Sequence, residues 1–521
     1  MYGAIILLIA NALVKIIGAI FKIPLTYILG EEGMGYFSTS YQMYTWMFIL
    51  ATAGIPVAIS KMVSESNARG DKYEINRIFS VSMKLLAIIG VVGFSFLFFG
   101  AEFCAGTLLN NPGAASGIRA IAPAMLFVSL MSAYRGYFQG HQNMIPTAFS
   151  EVSEALGKLV IGFTAAYLLL PNGIELASAG AVAGVSCGGL AGFVVLALMY
   201  SKHKKQITDV PQKLSTSLSD GQLFKKLVAI AVPITIGASV FSLTSLIDTA
   251  MIMHRLQAGG FPQDVANRLW GSYSGYAFPL FNLPPTLINA ITVSIVPAIA
   301  AAFASGDKKL CAHTSCKSMK ITVLFALPCS VGMSLLARPI LSLVYDNTNA
   351  TSTLSILACA IVFVSLVLVT NAILQATGKA MIPVRNMIIG GIVKVIINYF
   401  LVANPNININ GAPVGTSVCY MVILVLNIVD MKRTLGLKFP VGELVFKPVV
   451  AACAMAAALI FVTPFFEGMG RIVEAAAPIA VGAVVYLLVI VLIKGINEED
   501  IALLPKADKL TKVCKKIKII R

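Results

Sequence analysis

The chain has 521 residues, of which 58% are hydrophobic and only 12% charged. A soluble globular chain carries about 25% charged residues, so this composition excludes a water-soluble fold. The 39 Lys+Arg against 23 Asp+Glu, net +16, would suit nucleic acid, but an apolar background without basic–aromatic stretches excludes that partner and leaves a polytopic membrane protein whose cations mark one side of the bilayer.

A helix needs about 20 apolar residues to cross the hydrocarbon. Fourteen runs meet this in chain order: 4–28, 36–63, 77–100, 118–140, 147–170, 177–201, 223–254, 270–303, 312–337, 351–376, 382–403, 411–431, 444–466 and 473–495. They are long and continuous, unlike the short alternating strands of a β-barrel, so the class is all-α. Breaks fall at Gly30-Glu31-Glu32-Gly33, Asn110-Asn111-Pro112-Gly113, Pro171-Asn172-Gly173 and Asn404-Pro405. The first run lacks the basic lead-in and cleavage site of a signal peptide and reads as a span, its abrupt start compatible with a start site further upstream. With both termini inside, the segments between runs hold 28 Lys+Arg on the inner side and only Arg255, Arg268, Arg338 and Arg471 on the outer, an asymmetry that supports fourteen spans in a bacterial plasma membrane.

The chain also repeats itself. Gly70-Asp71 recurs as Gly306-Asp307, Ser82-Met83-Lys84 as Ser318-Met319-Lys320, Phe127-Val128-Ser129-Leu130 as Phe363-Val364-Ser365-Leu366, Gln139 as Gln375 and Lys158 as Lys394, all at an offset of 236. Six spans separate the copies, an even number, so the halves enter the membrane in the same direction. The expected organisation is an N-lobe over 1–201, a cytoplasmic linker over 202–222, a C-lobe over 223–431, two trailing spans over 432–496 and a basic amphipathic tail over 497–521 lying on the anionic inner leaflet. Two facing lobes with a cleft between them are the plan of an alternating-access transporter.

No catalytic or nucleotide-binding signature is present: no G-x-x-x-x-G-K-[ST], H-E-x-x-H or G-x-S-x-G. The nine cysteines form no C-x-x-C, and most sit in apolar runs as small core residues. An enzyme, a cofactor and a metal site are therefore not expected.

The informative residues are ionisable groups inside the runs, which are costly there and face a protein interior or a water-filled cavity. Lys15 and Lys394 sit deepest, with no neighbouring acid, and are the leading substrate-binding candidates, followed by Lys22, Lys158, Arg135 and Arg255. Arg135, Arg119, Lys84 and Lys22 have an alternative role as snorkelling residues reaching an interface. Glu154 and Lys158 stand four apart in the order that favours a helical ion pair, and Glu151 shares their face. Asp248, Glu151 and Glu154 are candidates for coupling to a cation, Asp248 alternatively pairing with a lysine. Pro284 and Pro285 in the eighth run, beside Pro279 and Pro297, mark a bend that would suit a gate or simply packing around Asn282 and Asn289.

Three stretches carry a resemblance: Val14-Lys15-Ile16-Ile17-Gly18 with Phe21-Lys22-Ile23-Pro24, then Gly54-Ile55-Pro56-Val57-Ala58-Ile59-Ser60-Lys61, and Arg135-Gly136-Tyr137-Phe138-Gln139-Gly140. With fourteen spans in two six-helix lobes and a trailing pair, the chain resembles the multidrug/oligosaccharidyl-lipid/polysaccharide (MOP) exporter superfamily, in its lipid II flippase and stage V sporulation protein B branches. The resemblance implies a MATE-like fold with its lobes in a V and a central cationic cavity. It implies flipping of an undecaprenyl-pyrophosphate-linked saccharide for peptidoglycan or polysaccharide synthesis. Expected partners are that lipid-linked anionic saccharide, membrane lipids and a coupling cation (Na+ or H+), the protein acting as a monomer. Lys15 matches the family's basic position in helix 1, with lysine where arginine is more usual, and so offers a point charge without a bidentate fork. Lys22 falls near a second basic position. Two rival readings are a cation-coupled drug exporter, which would favour carboxylates in its cavity, and a non-transporting scaffold for envelope or spore-cortex assembly, which would need no buried lysines.

Overall fold

The computed structural model describes residues 2–206, 218–436 and 442–495. The expected basic tail over 497–521 and the linker residues 207–217 lie outside the described residues. Within them the chain is helical, with no strand, and it divides into two compact units, Met1–Gln257 with Phe261–Gly271, and Ala258–Gly260 with Ser272–Arg521.

Among the described residues the first unit holds nine α-helices: α1 (Tyr2–Thr52), α2 (Ile55–Ala68), α3 (Lys72–Phe99), α4 (Ala115–Gly140), α5 (Ile145–Gly157), α6 (Phe163–Leu169), α7 (Ile174–Gln206), α8 (Asp220–Ala258) and α9 (Gln263–Gly271). A continuous α1 conceals a break at Gly30, whose φ of 58° and ψ of −167° end one helix and start the next, as the Gly-Glu-Glu-Gly cluster suggested. Proline enters the first turn of both α2 and α5, where its missing N–H breaks no bond. Ile59, Met62, Val63, Ile78, Leu86, Met131, Phe138 and Leu196 form the core of this unit, and Leu223, Leu227 and Ala231 of α8 belong to the same cluster. α8 is also held through polar contacts. Arg77 pairs with Asp220, and Lys226 with Glu65 at 2.7 Å. Gly54, between α1 and α2, faces Ala231 so closely that a Cβ would stand 2.1 Å from its carbonyl oxygen. α8 accordingly belongs to the first compact unit, which ends with α9 at Gly271.

The second unit holds α10 (Phe278–Phe281), α11 (Leu283–Ala304), α12 (Lys308–Leu335), α13 (Ala337–Tyr345), α14 (Thr351–Ala358), α15 (Ala360–Ala376), α16 (Met381–Leu401), α17 (Gly411–Leu435), α18 (Lys447–Phe466) and α19 (Arg471–Leu492). Its core gathers Ile299, Met319, Ile373, Ile423 and Met431. The trailing pair α18–α19 shares a smaller apolar cluster with Leu336, and Tyr486 of α19 donates to the Leu324 carbonyl of α12 at 3.0 Å. The eighth run is not one helix. It turns at Asn282, and Pro284 and Pro285, both buried, open α11 in its first turn.

Eleven helices among the described residues are long and apolar enough to cross a membrane, or twelve if the bent pair Thr351–Ala358 and Ala360–Ala376 is one span. The expected fourteen are therefore not reached by length and composition. The difference has two sources: the first two runs join as Ile9–Ala68, and the interrupted run 270–303 supplies only the shorter apolar helix Ile295–Ala304.

The 236-residue offset is written into the backbone. Gly70 and Gly306 both adopt positive φ, at 72° and 74°. The next residues, Asp71 and Asp307, cap α3 and α12 by accepting from Glu74 N and Leu310 N, at φ/ψ of −82/77° and −77/80°. Two further left-handed positions recur at the same offset without any residue match: Asn110 (φ 48°) with Asp346 (φ 52°), and Gln142 (φ 58°) with Gly378 (φ 77°).

Candidate functional site

A cavity of about 360 Å³ opens within the first unit, lined by α1, α4, α5 and α7 and the turn after α5. α5 can lie close to α7 because glycines meet there. A Cβ on Gly188 would stand 2.4 Å from the Glu154 carbonyl oxygen, and one on Gly184 would stand 2.4 Å from Gly162 Cα. Such small-residue contacts let helix backbones approach in lipid. After Gly157 the helix widens into a π-helical stretch, Lys158–Gly162, a form frequent at functional sites.

Four ionisable side chains line the cavity: Arg135, Glu151, Glu154 and Lys158. The Arg135 guanidinium donates through Nε and Nη2 to Ser150 Oγ at 3.1 and 2.8 Å, and through Nη2 to Glu154 Oε2 at 3.1 Å. Arg135 thus faces protein and does not snorkel. This arrangement also corrects the expected Glu154–Lys158 pair. Glu154 is taken by Arg135 from a neighbouring helix, and the Lys158 ammonium lies over two aromatic faces, 4.6 Å from the Tyr41 centroid and 5.2 Å from that of Phe21. Such contacts hold a cation by about 0.5–2 kcal/mol without neutralising it.

Much of the remaining wall is aromatic, from Phe21, Tyr41, Tyr44 and Phe48. Phe37, Tyr41, Tyr44 and Phe48 follow one another along the second half of α1 with centroids 5.9, 6.1 and 5.7 Å apart, the first pair stacked and the other two tilted, and Phe37 lies outside the lining. Two buried polar atoms of the lining, Tyr44 Oη and Glu151 Oε2, have no hydrogen-bond partner among the described residues.

The other candidates are placed elsewhere. Lys15 is exposed on α1 and does not line the cavity. Lys22 is half-buried, close enough to Lys158 for the two ammonium groups to repel. Asp248 is buried and Arg255 half-buried on α8, and neither lines the cavity. Lys394 is half-buried on α16 of the second unit. Arg119, read from the sequence as a residue reaching an interface, pairs with Glu102 at 2.7 Å among exposed groups.

Sequence reasoning missed Asn11, Tyr41, Tyr44, Phe48 and Ser150. The signal for the aromatics was the 4-3-4 spacing from Phe37 to Phe48, which marks one helix face but does not separate a cavity wall from a packed one. It also missed a polar network in the second unit. There Asn386 donates to Asn427 and Asp430 at 2.9 and 3.0 Å, Asn427 to Thr370 and Asn371 at 2.9 and 2.8 Å, and Arg385 to Asp430 at 2.6 Å. Positions 371 and 386 are the repeat partners of Arg135 and Ser150. The same two places are bonded in both units, by a charged fork in one and through an amide in the other.

Residues 1–303, more than half of the chain, match the model of the polysaccharide biosynthesis protein family, and residues 271–400 match the MatE model. The chain belongs to the polysaccharide biosynthesis protein family. Similar proteins include stage V sporulation protein B of Bacillus subtilis (strain 168), 25% identical over 513 residues that cover 98% of each chain. The lipid II flippase MurJ of the same organism is 28% identical over 458 residues, 84% of each chain. Among solved structures, the inward-facing conformation of a multidrug resistance MATE family transporter of the MOP superfamily superposes with a TM-score of 0.68 at 15% identity, covering 81% of this chain and 94% of that one. The resemblance to the MOP superfamily drawn from three short stretches is upheld, and the fold is MATE-like. The protein is a multi-pass membrane protein.

Proposed function

We propose that this protein is a flippase that carries an undecaprenyl-pyrophosphate-linked saccharide, lipid II or a polysaccharide unit, across the bacterial plasma membrane by alternating access. It catalyses no covalent chemistry. The observation that carries this reading is Lys158: a cation deep in a span, at a cavity wall, held by aromatic faces with no carboxylate in ion-pair contact among the described residues. A structural lysine would be neutralised, and one left charged in a low-dielectric cavity is a receptor for an anion. The names of the similar sporulation protein and lipid II flippase support the same substrate class. The orientation read from the Lys+Arg distribution supports loading from inside, because the cavity lies toward the Gly140 end of α4, where both α4 and α5 meet an inner loop. Lys15, Lys22 and Lys394 remain proposed contributors to head-group binding, with Arg255 at the outer end of α8. Asp248 and the bend at Pro284 and Pro285 remain proposed elements of coupling and gating.

The test is complementation of a flippase-depleted strain together with a leaflet-accessibility assay for lipid II. Lys158→Ala should reach the membrane, fail to restore growth and leave lipid II in the inner leaflet. Full growth from Lys158→Ala would remove Lys158 from the transport path, and failure of the wild type itself to restore growth would favour a scaffold role. A second reading, a cation-coupled drug exporter, draws on the two carboxylates Glu151 and Glu154 in the same cavity. It predicts drug resistance on overexpression that Glu151→Gln abolishes.

A further inference from the structure

The cavity has bare polar atoms in its wall, and their chemistry is selective. Tyr44 is 3% exposed and its hydroxyl meets no partner; Glu151 Oε2 is likewise buried and unpartnered, and both side chains line the same space. Native proteins leave few such atoms unsatisfied, and two of them in one cavity wall suit a polar group that enters the cavity.

A phosphate does not fit that role. The diphosphate of a lipid-linked head, esterified at both ends, has no proton to give Glu151 near neutral pH, and Glu151 and Glu154 would repel it. The Arg135 fork that would grip it is committed to Ser150 and Glu154. A sugar ring fits. Its hydroxyls donate to a carboxylate oxygen and both donate to and accept from a phenol. Its C–H face can rest on the Tyr41 and Phe48 rings that flank Tyr44. The volume, about 360 Å³, stands near the lower end of the roughly 300–1,000 Å³ of small-molecule sites and suits one ring rather than a whole lipid-linked head.

We infer that the cavity of the first unit is a subsite for a single sugar ring, read by Tyr44 Oη and Glu151 and stacked on Tyr41 and Phe48, with Lys158 at its edge meeting the anionic group the ring carries. This rests on the flippase reading and adds to it which part of the substrate enters. Glu151 then acts in recognition of neutral hydroxyls.

The experiment uses the full chain in nanodiscs. Saturation-transfer NMR is recorded with free N-acetylglucosamine, and phosphorus line broadening with inorganic pyrophosphate. The wild type should transfer saturation to the sugar ring protons. Tyr44→Phe, which removes one oxygen, and Glu151→Gln, which keeps the shape, should each weaken sugar binding at least fivefold. Pyrophosphate should not compete with the sugar, and its broadening should survive Tyr44→Phe. Absence of sugar transfer in the wild type, equal transfer in wild type and both variants, or displacement of the sugar by pyrophosphate would overturn the subsite. Native mass spectrometry with undecaprenyl-pyrophosphate-linked N-acetylglucosamine separates the two claims. Binding of that lipid without a sugar effect of the variants would leave the flippase and remove the subsite. Sugar binding without lipid binding would do the reverse.

Discussion

Replacing Gly188 by alanine should part α5 from α7 and displace the charged wall of the cavity. A Cβ there would stand 2.4 Å from the Glu154 carbonyl oxygen and 3.0 Å from Lys158 N, both backbone atoms that no rotamer change can move aside. Ordinary contact begins near 3.4 Å, so α5 must recede by about 1 Å, the difference between 3.4 and 2.4. Forcing one methyl into a packed contact costs about 1–3 kcal/mol. The displaced segment carries Glu154 and Lys158, so the 3.1 Å bond to Arg135 should lengthen with it. Gly184→Ala should behave alike, its Cβ meeting Gly162 Cα at 2.4 Å. Gly189 supplies the internal control, because a Cβ there meets nothing nearer than Phe127 Cβ at 3.5 Å, an ordinary contact. Thermal unfolding of the purified protein in detergent should rank Gly189→Ala with the wild type, and Gly188→Ala and Gly184→Ala below it, with transport lost in the latter two. Equal stability and activity across all three would refute the view that the glycine crossing sets the cavity.

Three further outcomes follow from contacts already described. Arg135→Lys keeps the charge but loses the fork, and a double-mutant cycle with Glu154→Gln should recover a coupling of about 0.5–3 kcal/mol in unfolding free energy; a coupling indistinguishable from zero would deny the pair. Tyr41→Leu should weaken anion binding at Lys158 by removing a cation–π contact of about 0.5–2 kcal/mol, read as a rise in the apparent Kd for the lipid-linked substrate, whereas Tyr41→Phe should leave it unchanged. Asp71→Ala and Asp307→Ala each remove the same helix cap and should each destabilise by about 0.5–2 kcal/mol, with similar losses by thermal unfolding, since the two caps share one geometry.

The spans were legible because lipid leaves the backbone little choice but helix, and hydropathy alone marks most of them. The repeat was legible in residues such as Gly70-Asp71 and Gly306-Asp307, but the backbone carries more of it than the residues do. Asn110 and Asp346, or Gln142 and Gly378, share a left-handed turn without sharing an identity. The count of spans was less legible, because a glycine that breaks α1 and prolines that start α11 act through local geometry that hydropathy does not record. The site was the least legible. Spacing along one helix pointed Glu154 at Lys158, but an arginine on α4, fixed by two nitrogens on Ser150, reaches Glu154 with Nη2 and the chain widens at Lys158, so the tertiary partner wins. Lys15 stands alone in its run for the same reason it attracted attention, yet its neighbours Asn11, Val14 and Gly18 face the cavity and it does not.

Counted at their formal charges, the ionisable side chains that line the cavity of the first unit cancel. They are two cations, Arg135 and Lys158, and two carboxylates, Glu151 and Glu154. A charge crossing the bilayer exchanges about 2.3 kcal/mol with the membrane voltage per elementary charge per 100 mV. In the transport cycle proposed above, the empty cavity therefore returns without electrical work, while one holding a doubly anionic head group gains about 4.6 kcal/mol per 100 mV when it turns outward from a negative interior. Lining charges that cancel make the loaded step voltage-driven and the return step voltage-blind, so the field itself sets the direction of the cycle.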